Sequence, residues 1–324
     1  MNSSSPSAAP QSMWRAQNLL SVDDLSRDEI DYLLDLSAHY ARFISAGENP
    51  PEALAGKTQV NLFFEDSTRT NLSFELAGKK LGADVLNVPV SASSVNKGED
   101  LIDTTQTLAA MGAHAMIVRH KQEGVHRTLA ERIDCPIING GDGAGEHPTQ
   151  ALLDAAAIRR AFGRVAGLTI AICGDIRHSR VAGSGARLLQ RLGAEVRFVG
   201  PADLMPADDF LPAAPRVPSL KEGLDGADIA MGLRIQFERM TPSDAKGAGD
   251  DFFHTYGLTH ETMKFAKPGA RVMHPGPMNR GVEIDGALAD DPDRSLILSQ
   301  VFHGVPTRMA VLHAFITHAH GRSG

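Results

Sequence analysis

The stretch from Thr58 to Lys80 changes its period halfway along. Thr58 and Val60 lead into Asn61-Leu62-Phe63-Phe64, an apolar, β-prone run. Beyond a short polar turn, Leu72, Leu76 and Leu81 recur at helical spacing. A strand therefore runs into a turn, and the turn opens a helix. Ser67, Thr68 and Thr70 put hydroxyls at that opening, with Arg69 among them. A helix start carries unpaired N–H groups and the positive end of the macrodipole. With an arginine and several hydroxyls added, it makes an anion site, most naturally for phosphate. The competing reading is an ordinary Ser/Thr N-cap beside a surface arginine.

The design recurs along the chain. A short strand at 84–88 is followed by a polar loop, 91–100, with Lys97-Gly98 at its tip. That loop reads as an anion clamp or as a solvated surface loop. A helix over 101–111 leads to the strand Ala115–Val118 and then Arg119-His120. Charged residues just past a buried strand sit where open α/β sheets bind ligands. A helix over 125–133, a strand at 136–138 and a Gly-rich loop from Asn139 follow. The loop closes on His147-Pro148-Thr149-Gln150, where Pro148 suits a first helical turn. His147 and Gln150 are three apart and share a face.

From residue 163 the pattern starts again, with strands expected at 168–173, 195–199 and 228–233 and a helix over 181–192. Arg180 falls at a helix start after a strand; Arg234 and Gln236 fall just past another. Residues 201–219 read as a loose Pro/Ala-rich connection, and 239–251 as a lid loop. A last strand ends in His274-Pro275-Gly276-Pro277. The final helix, 305–319, groups Met309, Leu312, Phe315 and Ile316 on one face that needs a partner surface. His318 and His320 are two apart and cannot share one helical face, so the end reads as solvated. Repeated strand–helix alternation means an α/β protein with two doubly wound parallel-sheet domains.

Composition narrows the function. At about 150 residues per domain, 324 residues suit two domains. A net charge of −7 argues against nucleic-acid binding, so any anion site is a local cluster of cations. No apolar run reaches the roughly 18 residues of a membrane span. Cys135 and Cys173 lie in or beside strand-like runs and fit reduced thiols in a cytoplasmic protein. Neither the cysteines nor the histidines show metal-ligand spacing. The Ser/Pro/Ala-rich start, residues 1–20 at its widest, reads as a disordered tail.

The motifs at 67–70, 93–99, 119–120, 147–150, 174–180, 234–236 and 274–277, in this order, closely resemble the aspartate transcarbamoylases, or aspartate carbamoyltransferases. The likeness runs from about residue 20 to 320. Ornithine transcarbamoylases typically carry a Cys-bearing motif where this chain has His274–Pro277. The resemblance implies a carbamoyl-phosphate domain over 21–150, with helix 305–320 packed back on it, and an aspartate domain over 151–304. It puts the active site between them. Ser67, Thr68, Arg69, Thr70, Arg119, His147 and Gln150 would hold carbamoyl phosphate, with the backbones of Gly276 and Pro277 accepting from its amino group. Lys97, Arg180, Arg234 and Gln236 would hold L-aspartate, supported by Ser93. The catalytic group would be Arg69, Thr70, Arg119 and His147. No cofactor or metal is implied. In relatives Ser93 and Lys97 reach a neighbouring subunit's site, so a homotrimer is expected, with regulatory or dihydroorotase-like chains as open partners. Family members often hold a larger apolar residue where Gly276 stands, and a glycine there should loosen the turn.

The residue types suit the chemistry without the name. Carbamoyl transfer needs phosphate donors, an oxyanion hole and clamps for the acceptor's charges. Arg180 and Arg234 can each take a carboxylate bidentately, which favours a dicarboxylate acceptor over ornithine's ammonium. A carbamoyltransferase for another amine, or a non-catalytic anion-binding scaffold, are the rivals.

Overall fold

The computed structural model describes residues 14–88, 100–206, 214–236 and 248–319. The chain divides into two compact units: one runs to Ala156 and takes the chain back from Phe302, and the other is Ala157–Val301. In chain order the first unit holds α1 (Arg27–Ala46), β1 (Thr58–Phe63), α2 (Thr68–Lys80), β2 (Asp84–Val88) and α3 (Leu101–Ala110). It continues with β3 (Ala115–His120), α4 (Val125–Ala130), β4 (Ile137–Asp142) and the start of α5 (Pro148–Phe162). The second unit holds β5 (Thr169–Gly174), α6 (Arg180–Arg191), β6 (Glu195–Val199), β7 (Arg216–Val217) and α7 (Leu220–Leu224). Then come β8 (Ile229–Leu233), α8 (Ala248–Tyr256), β9 (Arg271–Met273) and α9 (Gly286–Ala289), before α10 (Ile297–Thr317) returns the chain to the first unit.

Both sheets are parallel throughout, as the strand–helix alternation requires. Their orders are β2-β1-β3-β4 and β7-β6-β5-β8-β9. Two strands differ from expectation. β4 runs on through Asn139-Gly140-Gly141-Asp142, which the sequence reading assigned to a loop. A Cβ at Gly140 would lie 3.2 Å from the Val118 carbonyl, so the glycine permits close strand approach rather than a break. β7 adds an edge strand inside the expected loose connection.

The apolar face of α2 is also not the expected one. Thr70, Phe74, Ala77 and Gly78 are buried, whereas Leu72 and Leu76 are 56% and 44% exposed. Both sets have helical spacing. Gly78 decides between them: a Cβ there would collide with the Gln59 side chain, so the glycine lets α2 lie directly on β1. Beneath it Gln59 donates to Asn61 (2.8 Å) and to the Phe74 carbonyl (3.0 Å), and Asn61 donates to Asn87 (2.8 Å). This buried amide chain fixes the helix over the sheet.

The chain is ordered well before residue 20. Ser26 and Glu29 form the expected capping box. Glu29 also accepts from the N–H groups of Arg15 (2.6 Å) and Ala16 (2.9 Å). Leu19 pairs with β4, accepting from Asn139 N–H at 2.8 Å. Trp14 is buried edge-on against Phe315, with ring centroids 5.0 Å apart. It stacks on His318 at 5.6 Å, so His318 is packed rather than solvated. Met309, Leu312, Phe315 and Ile316 are all buried.

The same helix holds a half-buried histidine that couples stability to acid. His313 Nδ1 and the Tyr40 hydroxyl share a hydrogen bond of 2.6 Å. Burial first, then the positive potential of His318 and His39, lowers its pKa to about 4. Between that value and the ordinary 6.5 the unfolded chain binds the extra proton, so stability is full above 6.5 and falls as pH drops toward 4. From pH 7.5 to 5 this amounts to about 2 kcal/mol. His313→Gln is expected to lose that much less stability over the interval, measured by urea unfolding at both pH values. Equal losses in variant and parent would remove His313 as the cause.

Candidate active site

In each sheet the strand order reverses between two central strands: β1 and β3 in the first, β5 and β8 in the second. Open parallel sheets bind ligands beyond the carboxyl ends of strands at such a point. Nearly all the cationic residues singled out by sequence lie there. β1 leads into α2, which carries Thr68, Arg69 and Thr70, and β3 ends in Arg119-His120. Phe63 pairs with Arg119 across the reversal. β5 ends at Gly174, followed by Asp175 and then Arg180 at the head of α6; β8 ends at Leu233, followed by Arg234 and Gln236. Gly174 pairs with Leu233 across the second reversal. With φ +123° and a neighbouring Leu233 carbonyl that any Cβ would strike, position 174 accepts only glycine.

The head of α2 is open to an anion. Ser67 is its N-cap, but its hydroxyl accepts from none of the helix N–H groups. The ordinary N-cap reading therefore fails, and Ser67 leaves the first-turn N–H groups unclaimed by its own side chain. Thr68 and Arg69 are exposed and Thr70 is buried. Arg119 is buried, and its guanidinium is already aimed: it donates to the Gly140 carbonyl (3.1 Å) and pairs with Glu65 (3.1 Å). Glu65 lies on the turn between β1 and α2, so one turn sets both the helix and the arginine. His147 is buried just before α5, where its carbonyl accepts from Gln150 N–H at 3.0 Å. The Gln150 side-chain amide donates to the buried Asp154 at 2.9 Å.

Sequence reading missed the residues behind this site. Arg308 of α10 is wholly buried, 5.0 Å over the Phe74 ring, and donates to the Gly304 carbonyl at 3.2 Å. Burial and the charge of Arg119 draw it down to about 9, with Asp154 acting the other way. It thus adds positive potential behind the head of α2.

In the second unit the fully buried Asp175 gathers the segments that follow β5 and β8. Its carboxylate accepts from His178 N–H (3.2 Å), from His178 Nδ1 (2.9 Å) and from Gln236 N–H (3.2 Å). The Gln236 side chain donates to the His178 carbonyl at 2.8 Å. Arg180 is buried at the start of α6, which Ser179 caps through Ala182 N–H. The His274–Pro277 turn follows β9 and is tied down rather than loose, with Gly276 N–H donating to His274 Nδ1 at 2.9 Å. Ser93 and Lys97 lie outside the described residues, as does most of the expected lid. Among the described residues no group of His, Cys, Asp and Glu is arranged to hold a metal. None of their helices is long and apolar enough to cross a membrane.

Two parallel-sheet units, each with arginines beyond its strand-order reversal, suit a transferase that handles anionic substrates, and the family comparison gives the class. Residues 17–160 match the carbamoyl-P binding domain, and residues 166–315 the Asp/Orn binding domain, of aspartate/ornithine carbamoyltransferase; the chain belongs to that family. It is 52% identical over 302 residues to the aspartate carbamoyltransferase catalytic subunit of Dinoroseobacter shibae, covering 92% of this chain and 94% of that one. Its identity to the Parvibaculum lavamentivorans subunit is 53%, covering 94% and 93%. Aspartate transcarbamoylase from Trypanosoma cruzi with carbamoyl phosphate bound superposes with a TM-score of 0.84 at 34% identity, covering 94% of this chain and 97% of that one. The same enzyme with carbamoyl aspartate and phosphate gives 0.83 at 34% identity, covering 93% and 96%.

Proposed function

We infer that the chain is an aspartate carbamoyltransferase catalytic subunit. It transfers the carbamoyl group of carbamoyl phosphate to L-aspartate, giving N-carbamoyl-L-aspartate and phosphate for pyrimidine synthesis. The observation that carries the residue assignment is the pair of strand-order reversals, each flanked by the cations this chemistry needs.

The first unit binds carbamoyl phosphate. Ser67, Thr68, Arg69 and Thr70 hold the phosphate on the N–H groups of α2. Thr70, Arg119 and His147 stabilise the oxyanion and Gln150 orients the donor, while the Gly276 and Pro277 backbones, from the second unit, accept from its amino group. The second unit binds L-aspartate, Arg180 and Arg234 each taking a carboxylate, with Gln236 and Lys97 completing the set. The amine attacks the carbonyl carbon, the oxyanion collapses, and the C–O bond to phosphate breaks. The departing phosphate takes the amine's proton. Holding the substrates in line supplies about 7–11 kcal/mol of the barrier, so no nucleophilic side chain is needed.

The working assembly is a homotrimer with shared sites. The exposed Leu72 and Leu76 on α2 and the half-exposed Leu86 on the edge strand β2 give the first unit apolar surface for a second copy. Free thiols at Cys135 and Cys173, which burial raises to about 11 and about 12, suit a reducing cytoplasm.

The test is product formation by purified protein offered aspartate or ornithine. Carbamoyl aspartate is expected, with ornithine used at least about a hundredfold less well, since a carboxylate site leaves an ammonium unpaired. Preference for ornithine or another amine would overturn the acceptor, and donor binding without turnover would restore the scaffold reading.

A further inference from the structure

The His274–Pro277 turn is fixed from behind by groups that touch no expected substrate atom. His274 Nδ1 accepts from Gly276 N–H at 2.9 Å. A ring nitrogen that accepts carries no proton, so the His274 proton sits on Nε2. Nε2 faces Glu283 Oε1 at 3.2 Å, with both side chains buried. The same oxygen accepts from Asn279 N–H at 2.5 Å. The Asn279 side chain in turn donates at 3.3 Å to the carbonyl of Ile235, the residue between Arg234 and Gln236. His274 N–H donates to Gln300 Oε1 at 2.8 Å. Gly232 lies against the ring, where a Cβ would come within 3.1 Å of Cδ2.

The consequence is directional. The peptide joining Pro275 to Gly276 has its N–H aimed inward at His274. That bond pins the backbone at Gly276, the residue whose carbonyl, with that of Pro277, is assigned to the carbamoyl amino group. Were the proton on Nδ1 instead, that nitrogen would repel the Gly276 N–H, and the peptide would lose its anchor. The proton stays on Nε2 because a buried carboxylate oxygen is there to receive it. Glu283 therefore sets the orientation of a backbone it does not touch, and through Asn279 it ties that turn to the Arg234–Gln236 segment.

We propose that Glu283 is a positioning residue for donor recognition: by fixing the tautomer of His274 it holds the Gly276–Pro277 backbone so that its carbonyls receive the carbamoyl amino group. This rests on the functional reading above. It makes a specific demand, because the carbamoyl amino group is absent from inorganic phosphate.

The experiment compares the KM for carbamoyl phosphate with the inhibition constant of inorganic phosphate. Glu283→Met is expected to raise the KM at least tenfold and to leave phosphate inhibition within twofold. Glu283→Gln keeps an oxygen where Oε1 stands, and is expected to recover most of the affinity. Gly232→Ala moves the His274 ring without removing a charge, and covers the case in which Glu283→Met does not fold. It should raise the same KM severalfold, again without moving phosphate inhibition. ¹⁵N NMR of His274 should report the Nε2–H tautomer in the parent and its loss in Glu283→Met. Donor and phosphate constants that move together, or a donor KM that does not move, would overturn the positioning role. An inactive parent enzyme would overturn the functional reading instead.

Discussion

Arg119→Ala is expected to cut kcat/KM by about 10²–10³ while the protein still folds. Removing one donor from an oxyanion hole costs about 2.7–4 kcal/mol in the transition state. Arg119 is suited to that loss because its guanidinium is oriented before any substrate arrives, by the Gly140 carbonyl and by Glu65. Folding should survive for two reasons. Glu65 keeps 28% of its side-chain surface in water, so its charge is not stranded when the arginine goes. Arg308, buried nearby, is relieved of a like charge. The measurement is steady-state kinetics beside a thermal melt. Retained turnover in a folded variant would remove Arg119 from the oxyanion role. Mixing this variant with Lys97→Ala gives a further reading: if sites are shared in a trimer, exchanged subunits regain activity. No recovery after verified exchange would count against sharing.

The parallel architecture was legible in the sequence because short apolar runs, polar turns and amphipathic helices alternate with few breaks. The places of Arg69, Arg119, Arg180 and Arg234 at strand ends and helix starts were legible for the same reason. What was not legible lies at a deeper level of packing. Leu72 and Leu76 satisfy helical periodicity as well as Phe74 and Gly78 do, and only the fit of Gly78 over Gln59 selects the buried face. Gly140-Gly141 reads as a break until the Val118 carbonyl is seen beside it. Trp14 and His318 looked like parts of two loose ends because their stacking joins opposite termini. The acids Glu65, Asp175 and Glu283 gave a weak signal: each is a carboxylate close to a cationic or Gly/Pro motif. Periodicity is blind to them, because what each accepts from is decided by neighbours distant in sequence.

Asp175→Ala should damage acceptor binding although Asp175 is not itself one of the proposed L-aspartate contacts. The carboxylate has no solvent exposure and accepts from the N–H groups of His178 and Gln236 and from the His178 ring. Each buried donor that loses its acceptor costs about 1–3 kcal/mol. Part of that appears as lower stability and part as freedom in the segment from Leu233 to Gln236. Because Arg234 and Gln236 both ride on that segment, the KM for aspartate is expected to rise at least about tenfold, or about 1.4 kcal/mol. The KM for carbamoyl phosphate should move much less, since its phosphate donors belong to the first unit. Asp175→Asn retains one accepting oxygen, and Oδ1 and Oδ2 serve different backbone donors. It is therefore expected to fall between parent and alanine in both Tm and aspartate KM. An Asp175→Ala protein that folds and binds aspartate normally would show that Arg234 and Gln236 are held by something else. An Asp175→Asn protein as impaired as alanine would show that the negative charge matters more than the geometry of acceptance.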